Sequence, residues 1–163
     1  MDRSVDFRLL FIGTTIHEGD RTTGEYSNEV MGLVKSLGLE GRSVFVGAKI
    51  DVEHYYNLCD MTVLPSFFEG TPNVALESMA SAVPVIATDV SDNSYVIPDG
   101  NVGYIVPLDQ PDQLADRMHD LASQPVLRRQ LGQAARDWVI EEFSLGKMAT
   151  IMADVYEQVL DDR

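Results

Sequence analysis

Basic residues are scarce in this chain. Its 163 residues hold 12 lysines and arginines against 26 aspartates and glutamates, a formal net charge of −14. Such a balance argues against nucleic acid as a partner, and against adhesion to an anionic membrane through these residues alone. Cysteine is scarcer still. Cys59 stands alone, which excludes an internal disulfide and fits a reducing cytoplasm. Its setting, YYNLCDMTV, is that of a buried spectator thiol rather than a nucleophile. No apolar run approaches the roughly 18 residues of a membrane span, and no signal-peptide pattern opens the chain. Histidine is also rare. His17 shares the polar loop Thr14–Thr23 with Glu18, Asp20 and Arg21, and one imidazole beside two acids is too weak a ligand set to predict a metal site. We expect no metal and no other cofactor.

The 45% of residues that are apolar suffice for a real core, and the length fits one globular domain over residues 1–163. Met1–Asp6 is polar and is expected to be disordered or the remnant of a helix. The run Phe7–Ile12 reads as a strand buried on both faces, and Glu25–Leu37 as a helix with Val30, Leu33, Val34 and Leu37 on one side, closed by Gly38. A short strand follows at Ser43–Val46, then a helix at Asp51–Cys59 with Asp51 as its cap, and a strand at Met61–Leu64. Farther on, Thr88–Pro98 reads as a loop with a short helix in it, and Tyr104–Val106 as the last strand. Three amphipathic helices at Pro111–Ser123, Val126–Phe143 and Leu145–Leu160 end the chain. Alternating strands and helices predict a Rossmann-like parallel sheet with helices on both faces.

One stretch organises the rest: Pro65–Thr88, PSFFEGTPNVALESMASAVPVIAT. It reads as strand end, sharp turn, helix and strand, with Glu69 in the turn, Glu77 in the helix and seven residues between them. Thr71 is placed to cap the helix and Pro72 to occupy its first position. The backbone Gly70–Thr71–Pro72–Asn73–Val74 would then aim free N–H groups and a positive dipole end at an anion such as a pyrophosphate. The helix, small or apolar over most of Val74–Ala82, is expected to be buried, so a charged Glu77 within it needs a partner.

These residues resemble the double-glutamate signature of the retaining glycosyltransferases of family 4, which have the two-domain GT-B fold. The resemblance runs from about Phe7 to the C-terminus and includes LLFIG (Leu9–Gly13), LGLEGRSVFVG (Leu37–Gly47), DMTVLPS (Asp60–Ser66), PVIAT (Pro84–Thr88) and GYIVP (Gly103–Pro107). What it resembles is the C-terminal, donor-binding half of such an enzyme. The resemblance implies a nucleotide-diphosphate sugar as ligand. Glu69, the candidate catalytic residue, would touch hydroxyls of the donor sugar, and Glu77 the ribose hydroxyls. Gly70, Thr71, Pro72, Asn73 and Val74 would line the pyrophosphate and sugar, while Lys49 and Ile50, with Ala48, would lie near the nucleobase.

The family usually opens this half with a strand and a basic pair that contacts the phosphates, and the resemblance implies that this strand is absent here. In the order 3-2-1-4-5-6 it would be central. Either the strands close up, a neighbouring chain donates one, or an edge stays open to pairing. A missing acceptor-binding domain or a partner chain is therefore expected, with self-association through the uncovered edge or the last helix as a further expectation. The implied location is cytoplasmic, peripheral to the membrane through the missing domain. Two departures from the family stand out: Ala82 replaces a common glycine, which would tighten packing, and Tyr95 replaces a frequent glutamate. A nucleotide-sugar epimerase and a non-catalytic donor-binding subunit remain alternatives.

Overall fold

The computed structural model describes residues 5–13 and 21–161, with the backbone alone for residues 21–25. Its elements are β1 (Leu9–Ile12), α1 (Arg21–Ser36), β2 (Ser43–Gly47), α2 (Val52–Tyr56), β3 (Thr62–Leu64), α3 (Asn73–Ala80), β4 (Val85–Thr88), α4 (Asn93–Val96), β5 (Gly103–Val106), α5 (Pro111–Ser123), α6 (Pro125–Glu142) and α7 (Leu145–Asp161). Every strand pairing is parallel. The fold is mixed α/β, parallel sheets flanked by helices, as the alternation predicts.

The chain divides into two compact units, Met1–Val52 and Glu53–Arg163. In the first, β1 pairs with β2, and the rings of Phe11 and Phe45 stack with centroids 4.5 Å apart. Of the terminal segment Met1–Asp6, residues 1–4 lie outside the described residues, and Asp6 pairs with Arg42 at 2.8 Å. Contrary to expectation, β1 is not buried on both faces: Leu9–Phe11 are half-buried and Ile12 is exposed. A two-stranded sheet has too few neighbours to bury an apolar strand fully. The polar loop expected to last until Thr23 gives way to helix at Arg21. His17, Glu18 and Asp20 lie outside the described residues. Gly38, at φ +67°, closes α1 as expected: its N–H reaches the Lys35 carbonyl and that of Leu39 the Val34 carbonyl.

In the second unit the strands lie in the order β3-β4-β5. β4 is the centre, and all four of its residues are buried. Its side chains alternate between two cores. Val85 and Ala87 join Ala75, Met79, Val96, Ile97, Ala135 and Val139, whereas Ile86 joins Val106, Leu121 and Leu131. Helix α6 contributes to both clusters, which explains its broad apolar face. Strand β1 pairs with β2 in the first unit and β3 with β4 in the second.

No residue of α7 is buried. Its apolar stripe of Met148, Ile151, Met152, Val155, Tyr156 and Val159 is exposed along the whole helix. No helix among the described residues is long and apolar enough to cross a membrane.

Candidate functional site

The double-glutamate turn leaves the carboxyl end of β3 and leads into α3, beside the carboxyl end of β4. In open parallel sheets, ligands bind at the carboxyl ends of strands. The local geometry corrects the sequence reading in three respects. Thr71 does not cap α3. The N-cap is Pro72, with φ −77° and ψ 82° and no side-chain cap bond. Those angles are near an inverse γ-turn, and the Asn73 N–H accordingly donates to the Thr71 carbonyl at 2.9 Å. Asn73 therefore offers no free amide, and Pro72 has none. The amides of Gly70, Thr71 and Val74 have no partner among the described residues.

The third correction concerns α3 and Glu77. The helix is buried on one side only, through Ala75, Ser78 and Met79. Glu77 lies on the exposed side with Asn73 and Val74, so no ion pair is required to hold its charge. Its partner is instead a phenol: the Tyr56 hydroxyl donates to Glu77 Oε2 at 3.1 Å. Tyr56 is buried, but its hydroxyl reaches Glu77 in the site. Burial, and then the charge of Glu77 and the hydrogen bond to it, push the Tyr56 phenol well above the usual tyrosine range. A raised pKa favours the neutral phenol in the folded state. The stability this adds is complete below the unfolded pKa near 10 and is lost as pH rises through the higher folded value. Ultraviolet titration should therefore show Tyr56 still un-ionised at about pH 11, and Tyr56→Phe should abolish that un-ionised fraction.

Glu69 is held differently. Its Oε1 accepts the Ser66 hydroxyl at 2.6 Å, and its backbone N–H donates to Ser91 Oγ at 3.2 Å. Ser66 is fixed in turn, because the Thr88 hydroxyl donates to its carbonyl. Among the described residues, each acid thus keeps one carboxylate oxygen without a donor. Nothing pointed to Ser91 in the sequence. Ser66 had one faint signal, a hydroxyl three residues before an acid in a tight turn.

At Gly70 a Cβ would meet nothing within 4 Å, and φ is not positive, so the fold itself makes no demand for glycine there. Lys49 and Ile50 belong to the first unit, where they follow β2 in an exposed segment. Tyr95 is exposed and packs edge-on against Phe143. Ala82 adopts φ 58°, and its carbonyl approaches Gly132 closely. Cys59 is half-buried, and burial followed by the charge of Asp60 pushes its thiol up. A thiol so placed is a poor nucleophile. No cluster of three or more metal-binding side chains occurs among the described residues.

Comparison with known proteins is consistent with this geometry. The chain is 32% identical over 158 residues to N-acetyl-alpha-D-glucosaminyl L-malate synthase of Bacillus anthracis, covering 97% of the chain and 39% of that protein. It superposes on sucrose-phosphate synthase from Thermosynechococcus elongatus with a TM-score of 0.82 at 29% identity, over 96% of this chain and 39% of the other. Anabaena HepE, solved with UDP, shares the fold with a TM-score of 0.85 at 18% identity, over 93% of this chain and 41% of its own. The chain therefore spans about two fifths of the length of the proteins it matches. Its fold is that of the C-terminal half of the GT-B glycosyltransferases. The family model described as "Glycosyl transferases group 1" matches residues 2–138, and the chain belongs to that family.

Proposed function

We propose that this chain is the donor-binding half of a retaining, family 4 glycosyltransferase, and that it holds a nucleotide-diphosphate sugar for transfer to an acceptor bound elsewhere. The observation that carries the reading is the start of α3: amides at Gly70, Thr71 and Val74 with no partner among the described residues, flanked in sequence by two acids that each keep an oxygen with no donor among those residues. Amides at a helix start suit a diphosphate, and the dipole adds about 0.3–1 kcal/mol. As the glycosidic bond breaks, negative charge grows on the leaving diphosphate, and donors already aimed at it stabilise that charge without reorganisation. Glu69 accepts hydroxyls of the donor sugar near the reacting carbon. Glu77, oriented by Tyr56, accepts the ribose hydroxyls through its remaining lone pairs. Gly70 lets the ligand approach the backbone, a role consistent with the empty space around it.

Lys49 and Ile50, with Ala48, are assigned to the nucleobase. No metal or other cofactor takes part in this reading, in which amides and cations from the rest of the enzyme hold the diphosphate. UDP is the first nucleotide to test, since HepE was solved with it. The acceptor site belongs to an N-terminal domain or a partner chain, for which the exposed face of α7 and the edges of β1 and β3 are candidate docking elements. Self-association through the same surfaces is the competing use of them. The protein is assigned to the cytoplasm, reaching membranes through that other domain.

The test is a calorimetric screen of this chain against UDP, GDP and ADP sugars. Binding of one of them, without transfer by the chain alone, is expected. No heat with any of them defeats the reading.

A further inference from the structure

We propose that Ser91, in the loop after β4, is a positioning residue that fixes Glu69 for sugar recognition; the inference rests on the donor-binding reading above. Strands β3 and β4 are parallel neighbours, so the turn leaving one and the loop leaving the other emerge side by side. The base of this junction is rigid. Asn93 is fully buried and its amide donates to the Thr88 carbonyl at 2.9 Å, while the buried Thr88 hydroxyl holds the Ser66 carbonyl. Ser66 then fixes Glu69 Oε1, and Ser91 Oγ accepts the Glu69 amide. The glutamate is tethered at its backbone by one loop and at its side chain by its own turn. Glu69 Oε2 has no donor among the described residues and is the atom offered to a sugar hydroxyl.

The backbone of Ser91 supplies the independent observation. Its φ is +49°, a left-handed conformation that disfavours any residue with a Cβ. Glycine would adopt it without strain. On conformational grounds, then, serine is the wrong residue here. What the side chain contributes in exchange is the acceptor for Glu69. A residue kept for folding should become worse when replaced by glycine, whereas a residue kept for positioning should fold as well or better and lose recognition.

The test uses this chain with Ser91→Gly and Ser91→Ala, read by thermal unfolding, amide hydrogen exchange at Glu69, and calorimetry with UDP-glucose and UDP. For Ser91→Gly we expect a Tm at or above the parent's and roughly threefold to tenfold faster exchange at Glu69, the loss of one hydrogen bond. The preference for UDP-glucose over UDP should fall by about the same factor, with UDP affinity unchanged. Ser91→Ala should show the same two losses at a Tm below that of Ser91→Gly. A lower Tm in Ser91→Gly with unchanged exchange at Glu69, or an intact sugar preference, overturns the proposal. A parent chain that does not distinguish UDP-glucose from UDP overturns the donor role of Glu69, and with it the purpose assigned to Ser91; the exchange rates then report the tether alone.

Discussion

Gly132→Ala should destabilise the second unit by about 3 kcal/mol, the upper range for overpacking a core. In a helix interior the same change ordinarily stabilises by about 0.5–1 kcal/mol, so the sign itself is diagnostic. Gly132 is buried on α6, and a Cβ there would overlap the Ala82 carbonyl oxygen and crowd Pro84 Cδ at 3.3 Å. That carbonyl cannot easily retreat. The Val83 N–H bonds the Ser78 carbonyl at 3.0 Å and the Ala82 N–H that of Met79 at 2.9 Å, closing α3 just before β4 begins. The Ser78 hydroxyl adds bonds to Thr62 and to the Val83 carbonyl. Moving Ala82 would disturb the end of α3, the start of β4 and the edge of β3 together. Urea unfolding measures the effect, and a midpoint at or above the parent's would mean that α6 simply slides. Ala82→Gly is the counterpart: it relieves the left-handed strain, worth roughly 1 kcal/mol of added stability.

Glu77→Ala should weaken binding of UDP and of UDP-glucose equally, by about 10- to 100-fold, the range for hydrogen bonds to a charged group. The equality follows from the assignment. Glu77 grips the ribose, which both ligands possess, whereas Glu69→Ala should weaken UDP-glucose and spare UDP. Removing Glu77 also leaves the buried Tyr56 hydroxyl without its acceptor, so a loss of stability of about 1–3 kcal/mol accompanies the change. Glu77→Gln separates the two effects, since its amide oxygen still accepts from Tyr56 while the charge is gone. Calorimetry on both variants, with their unfolding midpoints, checks the pattern. Equal binding by Glu77→Ala and the parent would remove Glu77 from the site.

The order of strands and helices was legible because each element carries its own period and its own stop signal. Gly38 marks the end of α1, and Pro111 opens α5 at its first residue. The site was legible as a pair of acids on a turn and a helix. Its hydrogen bonds were not. A single helical-wheel argument made α3 buried all round, but Ala and Ser at exposed positions look the same in sequence as at buried ones. Only packing into the cluster shared with β4, α4 and α6 decided that Ala75 is covered, while Ala80 stays exposed. Thr71 had the right chemistry for a cap, yet Pro72 bent the backbone into a γ-turn that spent the Asn73 amide locally. Tyr56 and Ser91 lie 21 and 22 residues from the acids they meet. Contacts at that separation depend on which strands become neighbours, and no local pattern records them.

The last helix gives the chain a natural place to be cut. The innermost side chains stop at Val139, with Phe143 packed against them, and α7 adds none. A stop codon after Ser144 would give up a 17-residue helix yet leave both clusters of the second unit intact. A lone helix of that length is near the limit of what holds together in water. The shortened protein should therefore melt at the same temperature and be the easier of the two to keep in solution.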